Sequence, residues 1–361
     1  MIRRIGEELG MNPTEGKAVW HNEHFKFSTD VGSGTWEVAF EPVRSVKEAS
    51  EQIGLMHSIT EIAGREGVLL LGLGVQPVSM PSWEQLMPME RYKAFADRYS
   101  TNNVLERPLV DLLLIEMTAS HQVHVEVSRQ DAVKAVNAFN LIAPELIALF
   151  ANSSVVNGAP VGMSSYREPL WDSVVSLEQD RGRRGMPLRR FKDMSDYVRT
   201  VSSFERIFDA SSNGHMDFTQ YGCVWWGARL KPDTRTIEIR SIDQQPGLKS
   251  LISATALVYG LASNLDGLHS HVAERSMGTA GIARIDAATN GFDAKIGGEP
   301  ITQKVHELLE IGAKGLELSG EDPSFLDRLS DRLRGRENPA DEARRIVERD
   351  GISSLIESRR I

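Results

Sequence analysis

The most constraining feature is a short alternating run, His121 to Ser128 in "HQVHVEVS". Val123, Val125 and Val127 occupy every second position, and Gln122, His124, Glu126 and Ser128 fill the others. Strand side chains alternate faces with a period of two. The run therefore predicts a strand with a valine face for the core and a second face that carries amide, imidazole and carboxylate. A fold containing it must cover the valines and give the polar row either water or a ligand.

Two further segments repeat the pattern. In "RTIEIRSID", Thr236, Glu238, Arg240 and Ile242 fall on one face, with Ile237 and Ile239 on the other. Glu238 and Arg240 would stand about 7 Å apart. In "TDVGSGTWEVAFEP", Asp30 and Glu37 flank a turn, and Glu37, Ala39 and Glu41 share a face. A wet face of an antiparallel sheet explains any one of these strands. Three such strands in one chain point to a common site. Carboxylates beside imidazole or amide oxygen suit Mg²⁺ or Mn²⁺, and a neighbouring arginine suits phosphate.

Elsewhere the elements alternate in type. "HFKFSTD" and "TWEVAFEP" read as a hairpin. Residues 45–66 read as a helix opened by Ser45 with Glu48 three positions on. "GVLLLGLGVQP" reads as a buried strand, and residues 103–116 as helix. "SRQDAVKAVNAFNLIAPELIALFANSS" reads as a long apolar helix broken near Pro144. "YGCVWWGARLKP" and "RTIEIRSID" form a hairpin around "PDT". Residues 247–263 form another apolar helix, and the chain beyond about 298 is charged amphipathic helix. The class is α+β, with a sheet built largely of hairpins and helices on one side. No glycine-rich nucleotide loop of the doubly wound or P-loop type is present.

Composition narrows the function classes. The chain has 361 residues, 41% hydrophobic and 25% charged, with a net charge of −9. That balance argues against a general nucleic-acid binder. No apolar run reaches the roughly 18–20 residues that cross a bilayer, and "MIRRIGEELGMNP" lacks a signal-peptide core. Cytoplasmic residence is expected. The single cysteine, Cys223, allows no internal disulfide, and it reads as a strand residue. His121 reads as a packed histidine, His21 and His24 as surface residues, and His269 and His271 as loop residues. Trp225 and Trp226 read as sheet core and rim. The basic run "DRGRRGMPLRR" (180–190) reads as a solvated loop or as a mobile loop over an anionic substrate.

In the order "HQVHVEVS", "ALFANSSVVNGAPVGMSSYREPLWD" and "RTIEIRSIDQQP", the chain resembles the glutamate–cysteine ligase (carboxylate–amine ligase) family, nearest the plant and alphaproteobacterial branch. The resemblance covers roughly residues 25–265, and "GLGVQP" and "MPMERYKAF" also fit it. It implies a glutamine-synthetase-like fold, a curved antiparallel sheet forming a funnel with helices packed outside. The whole of 1–361 would be one catalytic domain with a helical C-terminal region from about 298. It also implies ATP and Mg²⁺ or Mn²⁺ as cofactors, and as substrates glutamate or a similar carboxylate and an amino-acid amine. By resemblance, Asp30, Glu37, His124 and Glu238 hold metal. Gln122, His124 and Arg240 meet ATP, and Glu238 and Arg240 serve the chemistry. Arg167 grips the substrate carboxylate bidentately, with Trp171 beside it. Glu238→Gln would then abolish turnover and spare the fold.

One departure is plain. The family opens with a Glu-x-Glu strand, whereas here Glu7 and Glu8 read as part of a short helix. The expectation is that this acidic strand is absent, leaving a sheet edge open to a second copy or a partner subunit. A degenerate, non-catalytic member that binds an amino acid or nucleotide, or acts as a partner subunit, is the alternative to a ligase, and a metal-dependent hydrolase is a weaker third reading.

Overall fold

The computed structural model describes residues 1–14, 19–90, 92–93, 115–174, 178–204 and 224–361. Its class is α+β, as the patterns predict. Among the described residues the strands form separate small sheets rather than one continuous surface. The first is four-stranded and antiparallel, Asn12–Pro13, Val19–His21, Phe25–Thr29 and Trp36–Phe40 in that order. It packs Phe25 and Phe27 against Ile5 of the helix Ile2–Glu8 and against Ile59 and Ile62. Glu7 and Glu8 are thus helical, as expected.

The second sheet carries the diagnostic run. Its order is Ala228–Lys231, Thr236–Ile239, Val123–Glu126, all antiparallel. The hairpin register lays residues in rows across three strands. Leu230, Ile237 and Val125 form one row, and Ala228, Ile239 and Val123 another. All six are buried in the main core. The rows between them are Arg229, Glu238, His124 and Lys231, Thr236, Glu126. The polar and apolar faces are those the alternation predicts, except at Ile242. Between the pairs Ile239–Val123 and Ser120–Asp243, four steps on one strand match three on the other. That extra residue is a bulge near Arg240, which reverses the facing of the residues beyond it. Ile242 therefore turns into the core and is fully buried, not onto the polar face.

Helices cover the valine side. The long apolar segment breaks into Ala132–Leu141 and Ala143–Phe150, bent by 52° with Pro144 in the first turn of the second helix. The helix over 45–66 likewise forms as two, Val46–Gly54 and Met56–Arg65, with the Ser45 hydroxyl accepting from Glu48 N. The expected strand over 67–77 does not join a ladder. It is an extended segment held by isolated bridges, Leu71 to Arg360 and Val75 to Thr118. Gly72 and Gly74 let it press on Gln245 and Asp243, and a Cβ at Gly74 would stand 2.7 Å from Asp243 Cγ. The expected helix at 103–116 falls outside the described residues up to 114, as does Cys223. No single helix is long and apolar enough to cross a membrane.

Leu248–Ser263 and Ile301–Leu318 cross at glycines. A Cβ on Gly315 would run into the carbonyl oxygen of Gly260, and one on Gly312 would lie 2.7 Å from Leu257 Cδ1. On an open helix surface, glycine to alanine stabilises by up to ~1 kcal/mol. Here overpacking reverses the sign. Gly315→Ala is expected to lower stability by about 1–3 kcal/mol, read as a lower urea midpoint at unchanged slope.

Candidate active site

The polar row Arg229, Glu238, His124 is a charged cluster, not a wet face. Glu238 is 2% exposed. Its Oε2 accepts from Arg229 Nε at 2.6 Å, and its Oε1 accepts from Arg229 Nη2 at 3.2 Å and from Arg240 Nη1. Burial alone would raise the pKa of this carboxyl, but the two guanidiniums outweigh it and hold it well below the usual carboxylate range. With its amide nitrogen turned to Glu238, Gln122 donates at 2.9 Å to Oε1 and accepts from Arg240 Nη1 at 3.3 Å. His124 Nδ1 shares a 3.0 Å hydrogen bond with the Thr236 hydroxyl. Desolvation lowers the His124 pKa, and Lys231, Arg229 and Arg240 lower it further against the pull of Glu238.

A second buried pair braces the first. Asp243 is 1% exposed. It accepts from Asn152 N at 2.8 Å, Ser153 Oγ at 2.8 Å, Ser165 Oγ at 3.2 Å and Arg167 Nε at 2.7 Å. Arg167 also donates Nη2 to the carbonyl of Arg240 at 3.1 Å. Burial works against the charge on Arg167, yet Asp243 and Glu168 raise its pKa. One serine of "FANSS", Ser153, and one of "SSYR", Ser165, therefore converge on a carboxylate that the sequence reading did not single out. Arg167 is spent on protein groups through two of its nitrogens, which leaves no free bidentate fork of the kind expected of it.

A narrow cleft opens beside these pairs, lined by Arg167, Trp171, Trp225, Arg240, Glu168 and Arg284, with Gly185 and Gly227 in its wall. Trp171 stacks on Trp225 at 5.9 Å between ring centroids. Arg284 comes from the helix Met277–Asn290, far along the chain from the recognised motifs. Gln122, His124, Glu238, Arg240, Arg167 and Trp171 are thus linked by the sheet, its bulge and the cleft. Glu37 lies in the strand Trp36–Phe40 of the first sheet, and Asp30 directly follows the strand Phe25–Thr29. Asp30 accepts from the Tyr92 hydroxyl at 3.2 Å, and Glu37 is exposed opposite Ser28. Among the described residues no three His, Cys, Asp or Glu side chains converge as a metal-ligand set, so the expected quartet Asp30, Glu37, His124, Glu238 is not assembled.

Other expectations divide. His121 is a packed histidine, bonded to the Thr255 hydroxyl at 3.0 Å, and burial pushes its pKa down to about 4. His269 and His271 end a helix, Leu265–His271, instead of lying in a loop. His271 stands between Glu145 at 3.4 Å and Glu307 at 3.2 Å. The basic run is not a solvated loop. Arg189 pairs with Asp196 at 2.6 Å, and Arg190 caps the carbonyls of Val272, Ala273 and Arg275. Residues missed from the sequence include Glu116, which is buried and raised by desolvation to about 7, with Oε2 lacking a hydrogen bond among the described residues.

A family model, glutamate-cysteine ligase family 2, matches residues 3–358. The chain belongs to glutamate–cysteine ligase family 2. Similar proteins named "Putative glutamate--cysteine ligase 2" occur in Roseiflexus castenholzii, 25% identical over 63% of this chain and 54% of the relative, and in Gloeobacter violaceus, 24% identical over 66% and 56%. A "2-1" protein of Rubrobacter xylanophilus is 28% identical over 74% of this chain and 63% of its own length. The match thus spans little more than half the length of the first two relatives. Buried guanidiniums of this kind are the groups that pair with carboxylate or phosphate.

Proposed function

We propose that this chain is an ATP-dependent carboxylate–amine ligase forming a γ-glutamyl amide through an acyl phosphate, within a glutamine-synthetase-like funnel, in the cytoplasm. Family membership across residues 3–358 carries this reading, and the cleft lined by Arg240, Arg167 and Arg284 supports it. Carboxylate oxygen attacks the γ-phosphorus of ATP and ADP leaves. The amine nitrogen then attacks the acyl carbon, phosphate departs, and the nitrogen loses a proton. Arg240, at the bulge, is the guanidinium placed to steady oxyanions as charge moves.

The residues expected to hold a divalent ion are otherwise engaged. Both oxygens of Glu238 already accept from guanidiniums, and among the described residues Asp30, Glu37, His124 and Glu238 do not come together as a ligand set. These side chains do not fit a cation held by the four together. Mg²⁺ or Mn²⁺ enters this reading only as the counterion that ATP brings from solution. The saturated Glu238 favours a second reading, a family member that binds amino acid or nucleotide without turnover.

ADP release distinguishes the two. With Mg²⁺, ATP and glutamate present, adding each amino acid in turn is expected to release ADP with one acceptor class. Nucleotide or glutamate binding without ADP release from any pair would establish the non-catalytic reading.

A further inference from the structure

We infer that a tetrahedral dianion, with inorganic phosphate as its simplest form, binds where Arg328 and Arg332 meet the start of the helix Leu248–Ser263, beside Arg359. This site shares no residue with the cleft.

Two guanidiniums converge there on one neutral oxygen. Arg328 Nε donates to the Ser250 hydroxyl at 2.9 Å, and Arg332 Nη2 donates to the same oxygen at 3.0 Å. Among the described residues neither arginine forms an ion pair with an acid. Arg332 Nη1 goes to the amide oxygen of Gln245 at 3.1 Å, and its guanidinium stands 5.9 Å from the centre of the Phe150 ring. Burial and then the charge of Arg328 lower the pKa of Arg332, and Arg359 lowers it further against the pull of Glu342. Arg359 is 3% exposed. Its Nη2 pairs with Glu342 at 3.0 Å, and its Nε has no hydrogen-bond partner among the described residues. Ser250 lies in the first turn of its helix, which Gly247 begins without a side-chain cap. The positive end of the helix dipole therefore adds to the repulsion between the guanidiniums, and an anion offsets both.

The charge balance fixes the ligand class. Three guanidiniums, those of Arg328, Arg332 and Arg359, act on one another, and the carboxylate of Glu342 opposes them, which leaves an excess of two positive charges. Asp331, on the same helix as Arg328, is paired with Arg334 at 3.1 Å. A dianion neutralises that excess, whereas a single carboxylate leaves half of it. Arg328 is exposed, and its Nη1 and Nη2 have no hydrogen-bond partner among the described residues. These two nitrogens form one edge of the guanidinium, a complete fork for two oxygens of one phosphate. The site also has a link to the buried pairs. Gln245, which accepts from Arg332, donates its Nε2 to the carbonyls of Phe150 and Asp243 at 2.8 Å each. An anion that fixes Arg332 thereby steadies the turn that carries Asp243.

The test is calorimetric titration of the full chain with sodium phosphate and with sodium acetate, in chloride buffer at constant ionic strength. The unmodified chain is expected to bind phosphate at least about tenfold more tightly than acetate. Arg328→Gln removes the exposed fork and should weaken that phosphate binding by at least about tenfold. Phosphate should also raise the urea midpoint of the unmodified chain and leave that of Arg328→Gln where it was. Phosphate held only in the cleft would bind both proteins alike, so equal affinity and stoichiometry in a folded Arg328→Gln protein would overturn the assignment. An unmodified chain that binds no phosphate, or binds acetate as well as phosphate, would overturn it too. If Arg328→Gln does not fold, a crystal structure of the unmodified chain grown with phosphate decides. Phosphate bonded to Arg328 and Arg332 supports the inference, and its absence from both refutes it.

Discussion

Glu238→Gln is expected to lower folding stability by about 3–5 kcal/mol, because breaking a buried ion pair leaves the remaining charge uncompensated. Two guanidiniums, those of Arg229 and Arg240, would be left facing a neutral amide. This reverses the expectation from sequence that the variant would spare the fold. The same carboxylate gives stability a pH dependence of definite sign. Its folded pKa lies below the unfolded value of about 4.3. The contribution is therefore fully present above that pH and is lost as pH falls through the folded value. Urea midpoints measured from neutral to acid pH should fall more steeply for the unmodified chain than for Glu238→Gln below about pH 4. Equal stability of the two proteins at pH 7 would show that the Arg229–Glu238–Arg240 cluster is not formed.

Asp243→Asn should be comparably damaging. The substitution removes the charge opposite buried Arg167 and sets an NH₂ group among four donors, the Asn152 amide, the two serine hydroxyls and Arg167 Nε. A loss of about 3–5 kcal/mol is expected. A double-mutant cycle with Arg167→Gln isolates the pair, since residues in one network couple by about 0.5–3 kcal/mol. Additive losses in that cycle would mean that Asp243 serves the loop backbone and not Arg167.

The sequence was most legible where a single period or breaker decides the structure. Val123 and Val125, Ile237 and Ile239, and the break at Pro144 are in that group. It was least legible where facing depends on register. A turn containing "PDT" leaves the loop length open, and a three-residue loop would set Glu238 opposite Ala228. The actual loop is one residue longer and brings Arg229 there instead. That single step separates a metal-ready carboxylate from one held by an arginine on each side. The bulge at Arg240 has no local signature, so Ile242 was placed on the wrong face. Arg284 and Asp243 were missed because nothing near them repeats or alternates, and their importance arises from what the chain folds against them. The arginines of 180–190 were misread because a basic run is ordinarily solvated, whereas carbonyls at a helix end claim Arg190.

The row across the three strands also bears on how the chain finds its fold. Slipping the hairpin by one residue would turn one strand's side chains to the opposite face relative to the other's. Glu238 would then share a face with Ala228 and Leu230, and Arg229 with Ile237, so either face laid on the core would bring a charge with it. The charges therefore act as a proofreading device for strand alignment. A misaligned hairpin cannot bury its apolar row, and a chain that assembles the cluster has already selected the correct pairing.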